Sequence, residues 1–81
     1  MRVTIRLFAQ LRDLAGAAEL EREVPDQATV QTVWNALKRE MPSLGQYEGT
    51  VSVAVNAEYS RMAAAVHDGD EVAFLPPVSG G

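Results

Sequence analysis

Alternation of apolar and polar residues is the main structural signal along this chain. At the start of the chain, Val3, Ile5 and Leu7 fall on one face and Arg2, Thr4 and Arg6 on the other, which predicts a half-buried strand. Strands are predicted in five segments that show this period: residues 2–9, 19–24, 51–55, 59–62 and 71–75.

One segment instead shows helical spacing. Thr29 is a suitable N-cap, and the helix that follows is expected to end at Pro42. A short helical turn is also expected over residues 10–15, because Gly16 stops it. The apolar stripe predicted to face the core consists of Val30, Val33, Trp34, Leu37 and Met41.

The order of these elements is strand, strand, long helix, then three strands. This order predicts an α+β fold of the β-grasp (ubiquitin-like) type, with a mixed sheet of about five strands and one main helix covering one face. In such a sheet the first and last strands lie side by side at the centre. We expect residues 1–75 to form the domain and residues 76–81 to form a flexible C-terminal tail ending in Gly-Gly.

Composition narrows the functional classes. With 81 residues, 47% of them hydrophobic, the chain makes one small globular domain. A net charge of −4 argues against nucleic acid, whose phosphates would repel it. The chain has no cysteine and one histidine, His67, interpreted as a solvated loop residue, so no metal site is predicted. No apolar run suits a membrane span, and a cytoplasmic location is expected.

Three apolar residues fall on the outward side of the predicted strands or beside them. When Val3, Ile5 and Leu7 point to the core, Phe8 points away, and Leu75 does the same in the last strand. Tyr59 follows a turn nearby. These three could form an exposed patch for a protein partner, or they could be covered by a loop or be scattered surface residues.

The end of the chain is the strongest candidate for chemistry. Pro76 and Pro77 cannot continue a sheet ladder, so the chain must leave the last strand in an extended direction. Six residues from Pro76 can reach about 20 Å. Gly80 and Gly81 lack Cβ atoms, so they could enter a narrow channel and present the terminal carboxylate of Gly81 to attack. The alternative is a frayed end.

Three stretches resemble the small-subunit family of molybdopterin synthase: residues 7–16, residues 54–56 and residues 68–81. The likeness spans nearly the whole chain, although residues 17–50 agree only in pattern. The resemblance implies a ubiquitin-like sulfur carrier, a non-catalytic subunit of a heterotetrameric transferase with no independent activity. An E1-like enzyme using ATP-Mg would adenylate Gly81, and sulfur from a persulfide donor protein would convert it to a thiocarboxylate.

The resemblance also implies roles for individual residues. The thiocarboxylate would donate its sulfur to cyclic pyranopterin monophosphate inside the large subunit, forming the molybdopterin dithiolene, and the carrier itself would bind no cofactor. Arg12 would contact the partner at the edge of the patch. The residues expected to follow the partner's channel are Pro76, Pro77, Val78, Ser79 and Gly80, and those expected to dock are Phe8, Arg12, Tyr59 and Leu75.

Two other functions keep the same terminal chemistry. One is the related sulfur carrier for thiamin thiazole synthesis, which would use a different acceptor. The other is a ubiquitin-like protein modifier that is joined to target lysines through Gly81. Lys38 is the sole lysine, so the chain is poorly suited to polymerising on itself.

Overall fold

The computed structural model describes residues 1–77, which form a five-stranded sheet with a helix packed against one face. Its strand order is β2-β1-β5-β3-β4, in which β1 and β5 are parallel and the other neighbours are antiparallel. This order confirms the predicted β-grasp fold and the central position of the first and last strands. The elements are β1 (Arg2–Leu7), α1 (Ala9–Ala15), β2 (Glu19–Glu23), α2 (Val30–Glu40), a 3₁₀ helix (Pro42–Tyr47), β3 (Ser52–Val55), β4 (Glu58–Ser60) and β5 (Glu71–Leu75).

The hydrophobic core lies between α2 and the inner face of the sheet. Trp34 of α2 and Phe74 of β5 are both fully buried, and their ring centroids are 5.0 Å apart with an interplanar angle of 44°. This tilted contact is a favourable arrangement for two aromatic rings. The predicted stripe of α2 is confirmed, with Met41 partly buried at its end. The fully buried aliphatic residues of the same core are Val3, Ile5, Leu7, Leu11, Val30, Val33, Leu37, Leu44 and Val72.

The first turn of α2 is closed by a reciprocal pair of threonines. The Thr29 hydroxyl accepts a hydrogen bond from the Thr32 backbone N–H at 3.3 Å, and the Thr32 hydroxyl accepts one from the Thr29 N–H at 3.1 Å. Both bonds satisfy backbone donors that a helix start would otherwise leave free. The predicted N-cap at Thr29 is therefore confirmed.

The segment after α2 was not predicted to be regular, but residues Pro42–Tyr47 form a 3₁₀ helix. It buries Leu44 completely and leads to Glu48. The Trp34 indole N–H donates to Glu48 Oε1 at 2.7 Å, and Lys38 Nζ lies 2.6 Å from the same oxygen. The segment thus closes one end of the core and satisfies the only polar atom of its largest side chain.

The first strand ends earlier than the alternation predicted, at Leu7 rather than at Ala9. Phe8 keeps an extended backbone and its carbonyl accepts from the Leu11 N–H at 3.0 Å, so the chain turns directly into α1. Gly16 ends α1 with a left-handed backbone, as predicted. Neither α1 nor α2, the α-helices of residues 1–77, is long and apolar enough to cross a lipid bilayer.

The sequence predicts a turn over residues 56–58, and the structure has a two-residue turn, Asn56-Ala57, because Glu58 already pairs with Val55 in β4. Both residues have positive φ angles, 51° for Asn56 and 71° for Ala57. This geometry matches the right-handed twist of the paired strands, but a Cβ atom disfavours it. Asn tolerates the conformation, whereas Ala57 stores strain there.

We therefore predict that Ala57→Gly stabilises the protein by about 0.5–1 kcal/mol, because relief of left-handed strain exceeds the added entropy of the unfolded chain. The melting temperature should rise by about 3–6 °C in a thermal unfolding experiment. Ala63→Gly is the matched control, since Ala63 is an exposed turn alanine without a positive φ angle, and this variant should melt at or below the wild-type temperature. A lower melting temperature for Ala57→Gly would show that Ala57 is not strained.

Candidate functional site

Phe8, Tyr59 and Leu75 converge on one groove on the outer face of the sheet, opposite α2. The groove has a volume of about 310 Å³. Phe8 is 37% exposed and Tyr59 is 83% exposed, while Leu75 is half-buried at the end of β5. The predicted juxtaposition of these three residues is thus present in the structure. The complete lining is Arg6, Phe8, Ala54, Ala57, Tyr59, Glu71, Ala73 and Leu75.

Ala54 and Ala73 form the floor of the groove and belong to a row of residues that crosses four strands. Tyr59 in β4 lies opposite Ala54 in β3, Ala54 opposite Ala73 in β5, and Ala73 opposite Arg6 in β1. Directly opposite residues share a face of the sheet. The two central positions carry only methyl groups, so the sheet surface is recessed between the larger side chains of Tyr59 and Arg6.

One wall of the groove carries a pair of opposite charges. Arg6 Nη1 lies 3.9 Å from Glu71 Oε2, and the Arg6 guanidinium carbon lies 5.6 Å from the centre of the Phe8 ring. A guanidinium over an aromatic face is attracted to it electrostatically. Arg6 therefore links the acidic side chain of β5 to the aromatic ring that follows β1.

Arg12, the fourth residue expected to dock, does not line the groove as the other three do. Its guanidinium lies on α1, is 56% exposed and comes within 3.9 Å of Asp13. It is not among the residues that line the groove. Arg12 lies one helical turn after Phe8, whose carbonyl accepts a hydrogen bond from the Arg12 backbone N–H at 3.4 Å. The contact of Arg12 with a partner at the edge of the patch stays a prediction.

The chain leaves the sheet beside this groove. Pro76, half-buried, and Pro77, exposed, follow Leu75 without regular structure, as expected for residues that cannot continue a ladder. The other expected tail residues, Val78, Ser79, Gly80 and Gly81, lie outside the described residues. The groove and the root of the tail thus meet at the end of β5, where Leu75 lines the groove.

A hydrogen-bonded network fixes the start of β5 next to the Asn56-Ala57 turn. The Asn56 side chain donates from Nδ2 to Asp70 Oδ1 and accepts from the Glu71 backbone N–H, both at 2.9 Å. The Asp70 carboxylate also accepts from the His67 N–H at 2.7 Å. The hydrogen bonds from Asn56 and His67 hold the pKa of Asp70 below its ordinary value.

Sequence patterns missed the small and charged members of the groove. The alternation of the third strand predicts that Ala54 faces outward, but nothing in the sequence marks Ala54, Ala73 or Arg6 as part of a site. One signal was available: β3 and β5 each carry an alanine at an outward position. Two small side chains on neighbouring strands leave a depression in the surface of the sheet.

Across residues 1–77, no group of three or more His, Asp or Glu side chains is arranged to hold a metal ion. The single histidine, His67, is 81% exposed, as predicted.

Comparison with known proteins identifies the group to which this fold and groove belong. The ThiS family matches residues 5–81, which is nearly the whole chain. The chain belongs to the ThiS family. The match includes every strand from β2 onward, the groove residues and the tail to Gly81.

Several relatives in this family are similar along their full length. The chain is 37% identical to the molybdopterin synthase sulfur carrier subunit of Arabidopsis thaliana, covering 98% of this chain and 82% of that protein. It is also 37% identical to the protein of the same name from Haemophilus influenzae, covering 98% and 99%. Among solved structures, SAMP1 from Haloferax volcanii superposes with a TM-score of 0.88 at 32% identity, covering all of both chains.

The lowered pKa of Asp70 predicts a specific acid response. A carboxylate with a depressed folded-state pKa stabilises the protein above the ordinary Asp pKa of about 3.9, and this contribution disappears as the pH falls through the folded-state value. Asp70→Asn should lower the free energy of unfolding by about 1–2 kcal/mol at pH 7, because the amide has one acceptor oxygen where the carboxylate has two, one for Asn56 and one for His67. The variant should also lose less stability than the wild type on acidification.

Urea unfolding between pH 7 and pH 2.5 measures this difference. Asp13→Asn is the control, because Asp13 is 75% exposed and its one ion-pair contact, to Arg12, is long. This control should reproduce the wild-type profile. Parallel acid profiles for Asp70→Asn and the wild type would contradict the role assigned to Asp70.

Proposed function

We propose that this protein is the sulfur carrier subunit of a molybdopterin synthase. Its relatives of that name cover nearly the whole chain, and the family match runs to Gly81. The observation that carries the proposal is the apolar groove of Phe8, Tyr59 and Leu75 at the edge where the chain leaves the sheet. A carrier must bind its partner close to the point where the tail that holds its reactive group leaves the domain. The groove is an apolar surface at that point.

In the proposed cycle the reactive group is the carboxylate of Gly81. A free carboxylate is a poor electrophile, so an E1-like partner first joins it to AMP from ATP-Mg, releasing pyrophosphate. The persulfide of a donor protein then attacks the acyl adenylate and displaces AMP, which gives an acyl disulfide. A second thiol attacks the donor-side sulfur, so a disulfide forms on the donor and the thiocarboxylate is released at Gly81. Because this activation uses ATP, we place the carrier in the cytoplasm.

The second proposed partner is the large synthase subunit. Residues 78–81 would enter its channel after Pro76 and Pro77, and Phe8, Tyr59 and Leu75 would dock against it. There the thiocarboxylate would give its sulfur to cyclic pyranopterin monophosphate and return as a carboxylate. Two such deliveries build the dithiolene of molybdopterin. The carrier itself contributes position and sulfur, while the large subunit supplies the reaction site.

A second candidate, conjugation to other proteins, is favoured by the similarity in sequence and structure to small archaeal modifier protein 1 (SAMP1) of Haloferax volcanii. It would use the same adenylate but end in an amide bond between Gly81 and a target lysine. The two functions differ in the acceptor, so the product attached to or released from Gly81 distinguishes them. A thiazole-forming acceptor, as in the thiamin pathway, is distinguished in the same way.

We predict that incubation with the E1-like enzyme, ATP-Mg and a persulfide donor raises the intact mass of the chain by the difference between sulfur and oxygen. Fragmentation in the mass spectrometer should place this change at Gly81. Deletion of Gly81 should abolish the change and leave the melting temperature within about 1 °C of wild type, because the chain end adds little to stability. A folded protein that never gains sulfur would contradict the carrier function.

The groove makes a separate prediction about docking. Phe8→Asp should weaken binding to the large subunit at least tenfold, because a carboxylate replaces an apolar contact at the interface and must be desolvated there. Leu14→Asp is the matched control, since Leu14 on α1 is similarly exposed, 40% against 37%, but does not line the groove. Isothermal titration calorimetry measures both affinities. Equal affinities for Phe8→Asp and wild type would remove the groove from the interface.

A further inference from the structure

We infer that Asn56, with Asp70 as its hydrogen-bonding partner, is a positioning residue that holds the two walls of the docking groove in a fixed relation. This inference rests on the function proposed above. The first wall is formed by Ala57 and Tyr59 of the β3–β4 hairpin, and the second by Arg6 and Phe8. Asn56 lies at the turn of the hairpin and contacts the strand between the walls.

The hairpin wall needs an anchor of this kind. Within residues 1–77, β4 pairs only with β3, over three residues, and so forms an edge of the sheet. Tyr59 in the middle of β4 is 83% exposed, so few contacts of its own fix its side chain. Its position therefore depends on how the hairpin is held against β5.

Asn56 makes three hydrogen bonds that hold it there. The Asn56 backbone N–H donates to the Glu71 carbonyl at 2.8 Å, and the Glu71 N–H donates to Asn56 Oδ1 at 2.9 Å. The Asn56 amide then donates to Asp70 Oδ1 at 2.9 Å. The turn itself requires only a residue that accepts a positive φ angle, which glycine does better. The two side-chain bonds thus serve a purpose that the turn does not require.

The same residues of β5 lead to the opposite wall. The Glu71 carboxylate lies 3.9 Å from Arg6, and Arg6 lies over the Phe8 ring. The Asp70 carbonyl accepts from the Thr4 N–H of β1 at 3.0 Å. Each wall is therefore connected to Asp70 or Glu71, and Asn56 is the side chain that joins the hairpin to both.

The test compares variants that keep the turn but change these bonds. Asn56→Gly retains the left-handed backbone and removes both side-chain hydrogen bonds. It should weaken binding to the large subunit about tenfold, since Tyr59 must then be ordered on binding. Asn56→Asp brings two carboxylates together and should weaken binding at least as much. In the double variant Asn56→Asp, Asp70→Asn, the carboxylate and amide exchange places, so affinity should return to within about threefold of wild type.

A stability control separates positioning from a general loss of folding. Thr29→Ala removes the N-cap of α2, on the opposite face of the sheet, and should lower the melting temperature by about 4–8 °C. Its affinity for the large subunit should stay within about twofold of wild type. The inference is wrong if Asn56→Gly also binds within twofold of wild type, or if Thr29→Ala weakens binding as much as Asn56→Gly.

A second measurement needs no partner. Tyr59 lies opposite Ala54 in the β3–β4 pair, so nuclear Overhauser effects are expected between the Tyr59 ring and the Ala54 methyl group. They should weaken in Asn56→Gly, remain in Thr29→Ala and recover in the exchanged double variant. Unchanged effects in Asn56→Gly would overturn the inference whether or not the large subunit binds. Failure of the wild-type protein to bind the large subunit would instead count against the proposed function.

Discussion

β1 and β5 pair in parallel at the centre of the sheet, with Thr4 opposite Glu71 and Leu7 opposite Phe74. Their inward residues meet α2, and each fully buried aliphatic or aromatic side chain contributes about 1.5–3 kcal/mol relative to an exposed one. Parallel strands also end at the same edge of a sheet, so the residue after β1, Phe8, emerges beside the end of β5. The pairing that builds the core therefore also brings the Phe8 ring to the root of the tail.

The inner face of the sheet is buried against α2, whereas the outer face carries the exposed groove. The inner face is covered by α2, whose Trp34 packs on Phe74 and is satisfied by Glu48. Within residues 1–77, no helix covers the groove on the outer face, and alanines at its two central positions leave it recessed. An open apolar recess beside the root of the tail suits a protein that delivers its proposed reactive end to a partner. The proposed chemistry needs a surface and a terminal carboxylate from this chain.

Much of the fold could be predicted because it depends on periodicity. The alternation of β1 and β5 and the stripe from Val30 to Leu37 indicate which faces are buried, and the outward parity of Phe8 and Leu75 follows from the same rule. Features with no period were missed. Leu44 is a single apolar residue in a 3₁₀ helix, and the bond from Asn56 to Asp70 joins residues 14 positions apart, each of which is a sufficient turn residue by itself. The resemblance implies that Arg12 lies at the edge of the patch, and the structure places it on α1, one helical turn after Phe8 and outside the groove lining.

The central claim is that sulfur held at Gly81 is delivered to a pterin acceptor. The most direct test is a single turnover in which the thiocarboxylated chain is mixed with the large subunit and cyclic pyranopterin monophosphate. In this experiment the dithiolene product should form while the intact mass of the chain returns to that of the carboxylate. A thiocarboxylate that persists in the assembled complex without product, or that leaves only as an amide conjugate to lysine, would contradict it.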